Sequence, residues 1–377
     1  MGDIIPKPAF AAAGLRICYN IGMEKAKIKM AAAMVCAAAM FGAYAEARPC
    51  RNVKFKPLAA GQMLYGDTTR KGESRPFAKD PTVIRHDGRY LMYYSVWEYG
   101  PGRGPGAGKR RPPRWWGAIA ESRDLVNWKR VGDIEFEGVE FVEAAVAPCV
   151  KKIDGKIHMF HQARYRSGKG SLYPSSERDI LLWHATSEDG IHFKNADCKA
   201  AFAPYNKWSI FRAIDAEFYR VGDKLMLMYA TREKPGEKTQ RLGIAWAPFD
   251  SDWACDKWTE LSVDKPFFEP ELPWEMNCIE APTVVKHKGI WYMFYAGAYN
   301  HERQQIGMAW SADGVDFKRW SDKPVLPHGP EGSWNAWESG HPGVFVDDDG
   351  RIYLFYQGKA TLRGDYRLSC LEVCFED

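Results

Sequence analysis

The sequence has no C-x-x-C pair, no sustained helical period and little net charge, and each absence narrows the class of protein. Without C-x-x-C spacing, its nine cysteines do not define a zinc module. A formal net charge of +4 on 377 residues is too small to indicate a nucleic-acid partner. Because no stretch keeps a helical period, the chain is predicted to be built mainly from β-strands.

The sequence also lacks an apolar run long enough to predict a membrane span. Its most apolar segment is an alanine-rich run that follows a lysine-rich start at Met23 and ends in an A-x-A site at Ala45–Ala47. This layout is typical of a secretory signal peptide, and a buried N-terminal helix is the alternative. We therefore predict that residues 1–47 are a leader and signal peptide whose true start is Met23. The remaining chain is then secreted or periplasmic, without a stable membrane anchor.

One outline of residues recurs five times along the chain. The first copy, DPTVIRHDGRYLMYYS, starts at Asp80, and a similar copy, APTVVKHKGIWYMFYAG, starts at Ala281. The other copies start at Ala147, Asp215 and His341, so the starts lie roughly 60–70 residues apart. Each copy has an apolar run, a turn containing Gly, Asp or Lys, and an aromatic-rich run. This pattern predicts a tight β-hairpin in every repeat.

Further short apolar segments follow these hairpins, so each repeat contains about four predicted strands. Four-stranded units at an even spacing predict an all-β fold, a five-bladed β-propeller with four-stranded antiparallel blades over residues 48–377. The fifth repeat has no obvious fourth strand, and we expect residues 52–66 to supply it and close the ring. A pair of β-sandwiches is the alternative, but it does not explain the even spacing.

The five aligned repeat starts are expected to converge on the propeller axis, because the innermost strand of each blade lines it. The residues there are Asp80, Ala147, Asp215, Glu280 (directly before the fourth start) and His341. Buried carboxylates need partners, so three together are unusual for a structural core. Glycosidic bond cleavage uses one carboxylic acid to protonate the leaving oxygen and one carboxylate to activate water. A third can raise the pKa of the acid, and the set therefore predicts a glycoside hydrolase.

The segments KDPTV, IEAPTVV and AESRDLVNW resemble the five-bladed propeller glycosidases of glycoside hydrolase family 43 and its relatives, families 32, 62, 117 and 130. The resemblance covers about residues 75–360. It implies an inverting reaction with Asp80 as general base and Glu280 as general acid, while Asp215 tunes the pKa of the acid. Family 43 places its second Asp in blade two and its Glu in blade three. Here Ala147 opens blade two and the carboxylates lie in blades one, three and four, an order more similar to family 117.

Several other residues are predicted to bind the carbohydrate: His341, Glu338, Glu143, Arg212 and Trp337. In related propellers a histidine at the position of His341 approaches a hydrated calcium, so the resemblance allows a structural calcium at the axis. Calcium prefers oxygen ligands, however, and a single histidine does not define a metal site. We therefore expect no required cofactor, and a satisfied core histidine is the alternative for His341.

Tryptophans near the predicted blade ends are candidate sugar platforms; they are Trp97, Trp115, Trp116, Trp274, Trp334 and Trp337. The basic, Gly/Pro-rich segment Arg103–Arg114 is either a solvated loop or a lid that attracts an anionic glycan. The solvated loop is the favoured interpretation, whereas Arg164, Arg166 and Lys169 in a similar loop add weight to the lid, in which case the carbohydrate partner is anionic.

Two alternative functions stay open at the level of the sequence. A glycoside phosphorylase needs cationic side chains to hold phosphate, and Arg212 is one candidate. A non-catalytic glycan-binding propeller is expected to carry five similar pockets, whereas the five aligned starts differ from one another. The unequal starts favour a single site. The sequence indicates no particular oligomeric state.

Overall fold

The computed structural model describes residues 48–69, 75–98, 114–137, 141–167, 170–171, 180–195, 200–209, 212–233 and 238–376. These residues form five sheets, antiparallel except for one short strand of blade 2, with a single short 3-10 turn at Pro273–Glu275. The predicted five-bladed β-propeller is confirmed. Among the described residues, no helix has the length and apolar character that crossing a bilayer would need.

The first two blades follow the predicted repeats. The strands of blade 1, from the axis outward, are β3 (Lys79–His86), β4 (Arg89–Glu98), β5 (Arg114–Ser122) and β6 (Lys129–Asp133). Blade 2 contains β8 (Phe141–Ile153), β9 (Lys156–Ser167), β11 (Leu181–Ser187) and β12 (His192–Asn195). Two additional short strands enlarge blade 2, and they are β7 (Glu135–Glu137), which runs parallel to β12, and β10 (Gly170–Ser171).

The third and fourth blades have four strands each. Blade 3 contains β13 (Ile214–Val221), β14 (Lys224–Arg232), β15 (Gln240–Pro248) and β16 (Thr259–Glu260). Blade 4 contains β17 (Ile279–His287), β18 (Ile290–Gly297), β19 (Gln305–Ser311) and β20 (Lys318–Arg319).

Blade 5 is completed by a strand from the other end of the propeller sequence. Its strands are β21 (Glu338–Val346), β22 (Ile352–Lys359), β23 (Arg367–Glu376) and β1 (Asn52–Lys56), and β2 (Leu64–Tyr65) pairs with another part of β23. Asn52 pairs with Glu376 and Lys56 with Glu372 in the antiparallel register. The predicted closure of the ring by residues 52–66 is therefore confirmed.

Apolar residues between neighbouring blades form the core. Phe160 of blade 2 packs against Phe218 of blade 3 with ring centroids 5.0 Å apart, and both rings are fully buried. Around the axis the inner strands approach closely. A Cβ on Gly343 of blade 5 would lie 2.0 Å from the carbonyl oxygen of Pro81 in blade 1, so this position accepts no side chain. The close packing of the inner strands fixes the distances between residues on different blades.

Some predictions concern residues outside the described part of the chain. They are the leader over residues 1–47, Lys169, and the basic segment at Arg103–Arg114 apart from the backbone of its last residue. The backbones of Glu143 and Arg166 lie in β8 and β9, but their side chains are not described.

Candidate active site

The five inner strands share a β-bulge where they reach one mouth of the axis. The residues with positive φ at this aligned position are Asp80, Ala147, Asp215, Ala281 and His341, with φ between 41° and 55°. The register between the first and second strands shifts at this position in every blade. Proline follows four of the five residues, and since it has no N–H for the ladder it favours the break. Non-glycine residues rarely adopt positive φ, and such strain tends to occur at functional sites.

His341 bridges two of the predicted carboxylates. Its Nδ1 lies 2.9 Å from Oδ1 of Asp80, and its Nε2 lies 2.9 Å from Oε1 of Glu280. All three side chains are only 8% exposed. Burial lowers the pKa of His341, but the two carboxylates outweigh burial and hold that pKa well above its usual value. The ring is therefore an imidazolium, which donates a hydrogen bond from Nε2 to Glu280 and forms an ion pair with Asp80 through Nδ1.

Asp215 and Glu280 form a closely spaced pair beside this histidine, since one oxygen of each lies within 4.8 Å of the other and of a ring nitrogen of His341. Burial raises the pKa of Asp215 to about 7, and the charges of Glu280 and Asp80 add to this rise. Burial also acts on Glu280, but His341 outweighs it and lowers the pKa of Glu280 to about 2. Because two negative charges this close repel each other, the proton is held by Asp215, the carboxyl group whose pKa is raised.

Two glutamines hold Glu280 in its ionised form. Gln304 Nε2 lies 2.6 Å from Oε1 of Glu280, and Gln240 Nε2 donates to Oε2. Both glutamines are fully buried. Together with His341 they occupy both oxygens of Glu280 with donors, which favours the carboxylate over the acid. In contrast, Oδ2 of Asp215 has no hydrogen-bond partner among the described residues.

Asp80 is surrounded by cations and donors. Burial raises its pKa, but Lys79, whose Nζ lies 3.9 Å from Oδ1, and His341 hold the pKa of Asp80 below its usual range. The hydroxyl of Ser95 contributes in the same direction. The backbone N–H of Asp80 donates to Oε1 of Gln357 at 3.0 Å. Asp80 is therefore a carboxylate throughout the neutral range, and its main chain is tied to blade 5.

A cavity of about 370 Å³ opens above these groups. Its wall includes all four of the predicted axial side chains, Asp80, Asp215, Glu280 and His341. Further residues in the wall are Lys79, Arg164, Asn300, Trp97 and Trp115. The volume lies within the range of small-ligand sites, and the wall combines aromatic and polar groups as carbohydrate sites do.

Four other predicted binding residues lie elsewhere or are undescribed. Glu338 is fully buried behind the wall, where Gln357, Asn300 and Lys359 surround its oxygens, so it is not placed to bind sugar in this arrangement. Trp337 does not line the cavity, and its indole N–H donates to the backbone carbonyl of Asn300. Buried Arg212 donates to Gln240 at 3.3 Å and lowers the pKa of Asp215. Glu143 remains a prediction, because its side chain is undescribed.

The tryptophan candidates separate into wall and core residues. Trp97 and Trp115 line the cavity with ring centroids 5.0 Å apart. Trp116 is buried and donates to the carbonyl of Ile134, while Trp274 stacks on Tyr295 in the body of blade 4. Trp334 packs against Tyr356 within blade 5. Sugar contact is therefore expected at the first two.

Sequence reasoning missed the amides and the lysine around the carboxylates, which are Lys79, Gln162, Gln240, Asn300, Gln304 and Gln357. A faint signal exists for two of them. Gln162 and Gln357 end the aromatic-rich runs of repeats two and five, at the position of Ser95 in repeat one. The others occupy no aligned position in the repeats.

The acidic residues and histidine do not fit a directly bound calcium ion. Within the described part of the chain, the set whose donor atoms lie within 4.8 Å is Asp215, Glu280 and His341. Both ring nitrogens of His341 are engaged by carboxylates, and calcium prefers oxygen ligands. A structural calcium at the axis therefore stays a prediction of the resemblance alone.

A five-bladed propeller with three carboxylates and a histidine at one mouth has the architecture of a glycosidase. The profile of Glycosyl hydrolases family 43 matches residues 74–371, and the chain belongs to this family. A crystal structure of a thermostable family-43 glycoside hydrolase has a TM-score of 0.58 at 21% identity, covering 80% of this chain and 90% of that chain. An α-L-arabinofuranosidase from Lactobacillus brevis has a TM-score of 0.53 at 16% identity, covering 78% and 91%. At these identities the likeness shows the fold alone.

A relative of a different activity is also similar in sequence. A 1,2-beta-oligomannan phosphorylase of Thermoanaerobacter sp. (strain X514) is 27% identical over 230 residues. The match covers 58% of this chain and 64% of that protein, so it spans less than two thirds of the relative's length.

Proposed function

We propose that the protein hydrolyses a glycosidic bond in an oligo- or polysaccharide with inversion of configuration. The observation that carries this proposal is that one cavity holds two carboxyl groups whose surroundings shift their pKa values in opposite directions. Asp80 is kept ionised by His341 and Lys79, while burial raises the pKa of Asp215 to about 7. A base that is always charged and an acid that holds its proton near neutral pH are the two groups this reaction needs.

Asp80 is the proposed general base that activates water. A complete imidazole ring separates it from Glu280, which keeps these two carboxylates well beyond direct contact. An inverting pair needs about 6.5–9.5 Å between its carboxyl groups to admit a water molecule, whereas a retaining pair needs about 5–5.5 Å. Inversion therefore requires that the carboxyl groups of the proposed pair, Asp80 and Asp215, be separated by the longer of these distances.

The proposed proton donor is Asp215, with Glu280 as the residue that tunes it. The resemblance assigned the acid to Glu280, but three donors already occupy the oxygens of Glu280 and favour its charged form. The charge of Glu280 in turn helps to keep the proton on Asp215. Asp215 also opens blade three, the blade in which family 43 carries its acid by the resemblance described above.

We test the proposed function by a reducing-sugar screen on neutral and anionic glycans, with and without phosphate. Release of reducing ends without phosphate supports hydrolysis, and the inverted anomer in the first product, read by NMR, supports the mechanism. Turnover that requires phosphate would replace hydrolysis by phosphorolysis. This second candidate is favoured by the phosphorylase relative and by Lys79 and Arg164 in the cavity wall. No turnover across the panel would leave a glycan-binding role.

The pH dependence of kcat/KM should fall above about pH 7, since the acid Asp215 loses its proton there. Replacing Arg212 by methionine removes a positive charge that lowers the pKa of Asp215. That pKa then rises, and the alkaline limb should move to higher pH. Initial rates between pH 4 and 10 measure the limb. Arg220→Met, exposed on the strand that carries Asp215, should leave the profile unchanged, and a shift towards lower pH in Arg212→Met would contradict the assignment.

We also propose that the substrate carries an acidic group, which Lys79 and Arg164 in the wall would attract. The amine of Lys79 lies 3.2 Å from Oδ1 of Asn300, between the rings of Trp115 and Tyr366. Lys79→Met should raise KM for anionic glycans about tenfold, the usual size of a charge-assisted hydrogen bond, with little effect on neutral ones. Equal losses on both classes at pH 7 would contradict an acidic substrate.

Export is the remaining proposal. It is supported by the basic start after Met23, the alanine-rich run and the A-x-A site at Ala45–Ala47, which are typical of a signal peptide. The amino-terminal sequence of the mature protein, purified from the host's periplasm or medium, tests it.

A further inference from the structure

Each blade carries one aligned residue near the end of its second strand, opposite the residue that precedes the bulge. These residues are Ser95, Gln162, Ala230, Ala296 and Gln357. The registers agree in all five blades, since Lys79 pairs with Ser95 and Gly340 pairs with Gln357 at the equivalent steps. The aligned residue is polar in blades 1, 2 and 5 and alanine in blades 3 and 4.

Where this residue is polar, its side chain crosses to the inner strand of the next blade. Oε1 of Gln357 accepts from the N–H of Asp80 at 3.0 Å, and Oε1 of Gln162 accepts from the N–H of Asp215 at 3.2 Å. Ser95 accepts from the N–H of Ala147 at 2.8 Å in the same way. The bulges remove these N–H groups from strand pairing, and a buried N–H needs a partner.

The amide of Gln357 has its orientation fixed from behind. Its Nε2 donates to Oε1 of Glu338 at 2.6 Å, so Oε1 of the amide must face Asp80. Both Gln357 and Glu338 are fully buried. Glu338 is itself held by Asn300 Nδ2 at 3.1 Å and by Lys359 Nζ at 3.3 Å. The arrangement is a continuous chain that starts with the ion pair between Lys359 and Glu338 and continues through hydrogen bonds from Glu338 by way of Gln357 to the main chain of Asp80.

We propose that Gln357 is a positioning residue for the general base, with Glu338 as its anchor. This inference rests on the proposed function, in which Asp80 activates water. Asp80 holds φ of 55° in a region uncommon for residues other than glycine, and the hydrogen bond from its N–H to Gln357 favours that conformation over the extended one. The direction of the carboxylate follows from the backbone conformation. Glu338, although it does not reach the cavity, thereby acts on the reaction through the main chain.

The test is kinetic, with Gln357→Ala as the first variant. Loss of the acceptor should lower kcat about 100-fold, the usual cost of an ångström-scale misplacement of a reacting group, and leave KM within about twofold. The screening substrate that gives the highest turnover is used for every variant. The acid limb of the pH profile should also move, because the contacts of Asp80 with Lys79 and His341 change. A merely structural contact would shift the melting temperature and leave the pH profile of the folded fraction unchanged.

A charge exchange tests the orientation of the amide. Gln357→Glu keeps an acceptor for Asp80 but places two carboxylates together, so its kcat should fall as well. Adding Glu338→Gln restores the hydrogen bond in reverse, with the amide at position 338 donating to the carboxylate at position 357. The kcat of the double variant should be at least tenfold higher than that of Gln357→Glu alone. This pair keeps the inference testable if Gln357→Ala does not fold. Failure of the double variant to exceed Gln357→Glu would overturn the inference.

Thr283→Val is the matched control for losing a bond between blades. Oγ1 of Thr283 accepts from the N–H of Val344 at 3.1 Å across blades 4 and 5, and neither residue is ionisable. The kcat of Thr283→Val should equal that of the parent protein. An equal fall in Thr283→Val, or full activity of Gln357→Ala beside an inactive Asp80→Asn, would overturn the positioning role. An active Asp80→Asn would instead overturn the proposed function.

Discussion

Asp80→Asn is expected to lower kcat/KM by about 1000-fold, within the range for loss of a general base. Asparagine has nearly the same shape, and its main chain keeps the bond to Gln357, but its side chain cannot accept the proton of the attacking water. The change also removes one of the two carboxylates that hold His341 charged. Initial rates on the substrate identified by the screen measure the effect, and thermal unfolding confirms that the variant is folded.

Azide gives this prediction a positive control. A small anion that enters the space beside the asparagine needs no base, so azide should restore turnover in Asp80→Asn and yield a glycosyl azide of inverted configuration. Asp316→Asn, on an exposed turn of blade 4, should behave like the parent protein. Retention of more than a tenth of the parent activity in Asp80→Asn would remove Asp80 from the role of base.

Asp215→Asn is expected to cause the second large loss, and the size of that loss should depend on the leaving group. For a sugar leaving group kcat/KM should fall by about 1000-fold, because the departing oxygen must be protonated. For aryl glycosides whose phenol is strongly acidic, the departing oxygen needs little protonation and the loss should shrink to less than about tenfold. A series of nitrophenyl glycosides of the preferred sugar provides the measurement.

Glu280→Gln separates the two members of the pair. The substitution removes the negative charge of Glu280, which raises the pKa of Asp215. That pKa should therefore fall, and the alkaline limb of kcat/KM should move to lower pH. The loss at low pH should depend little on the leaving group. If Glu280→Gln instead shows the steep dependence and Asp215→Asn does not, the two roles are exchanged and the assignment by resemblance is correct.

The fold could be predicted because the repeats are visible in the sequence. Hairpin turns, apolar runs and aromatic-rich runs are set by residues close together in the sequence, and five copies at an even spacing define five blades. The convergence of Asp80, Asp215 and His341 followed from the same alignment, since every inner strand reaches the axis at the equivalent residue, and Glu280 directly precedes that residue in blade 4. Even the closing strand could be inferred, because the fifth repeat lacked one.

The protonation states could not be predicted in this way. The glutamines that donate to Glu280 lie 40 and 24 residues from it in sequence, and they meet it only through the geometry of neighbouring strands. The same holds for His341, whose position between two carboxylates makes Glu280 a poor acid. The alignment identified which residues meet, whereas the direction of each pKa shift depends on burial and on partners from other blades.

The pairing of β1 with β23 ties the assembly of the catalytic mouth to a contact between residues that are very far apart in sequence. Asn52 and Glu376 are joined by a hydrogen bond across 324 residues of chain, so their meeting carries a large loop-closure entropy. Until it forms, blade 5 lacks its outer strand, and the pair between His341 of that blade and Asp80 of blade 1 has no fixed frame. A nascent or partly refolded chain can thus contain four finished blades without a working site, which makes catalytic competence a reporter of ring closure.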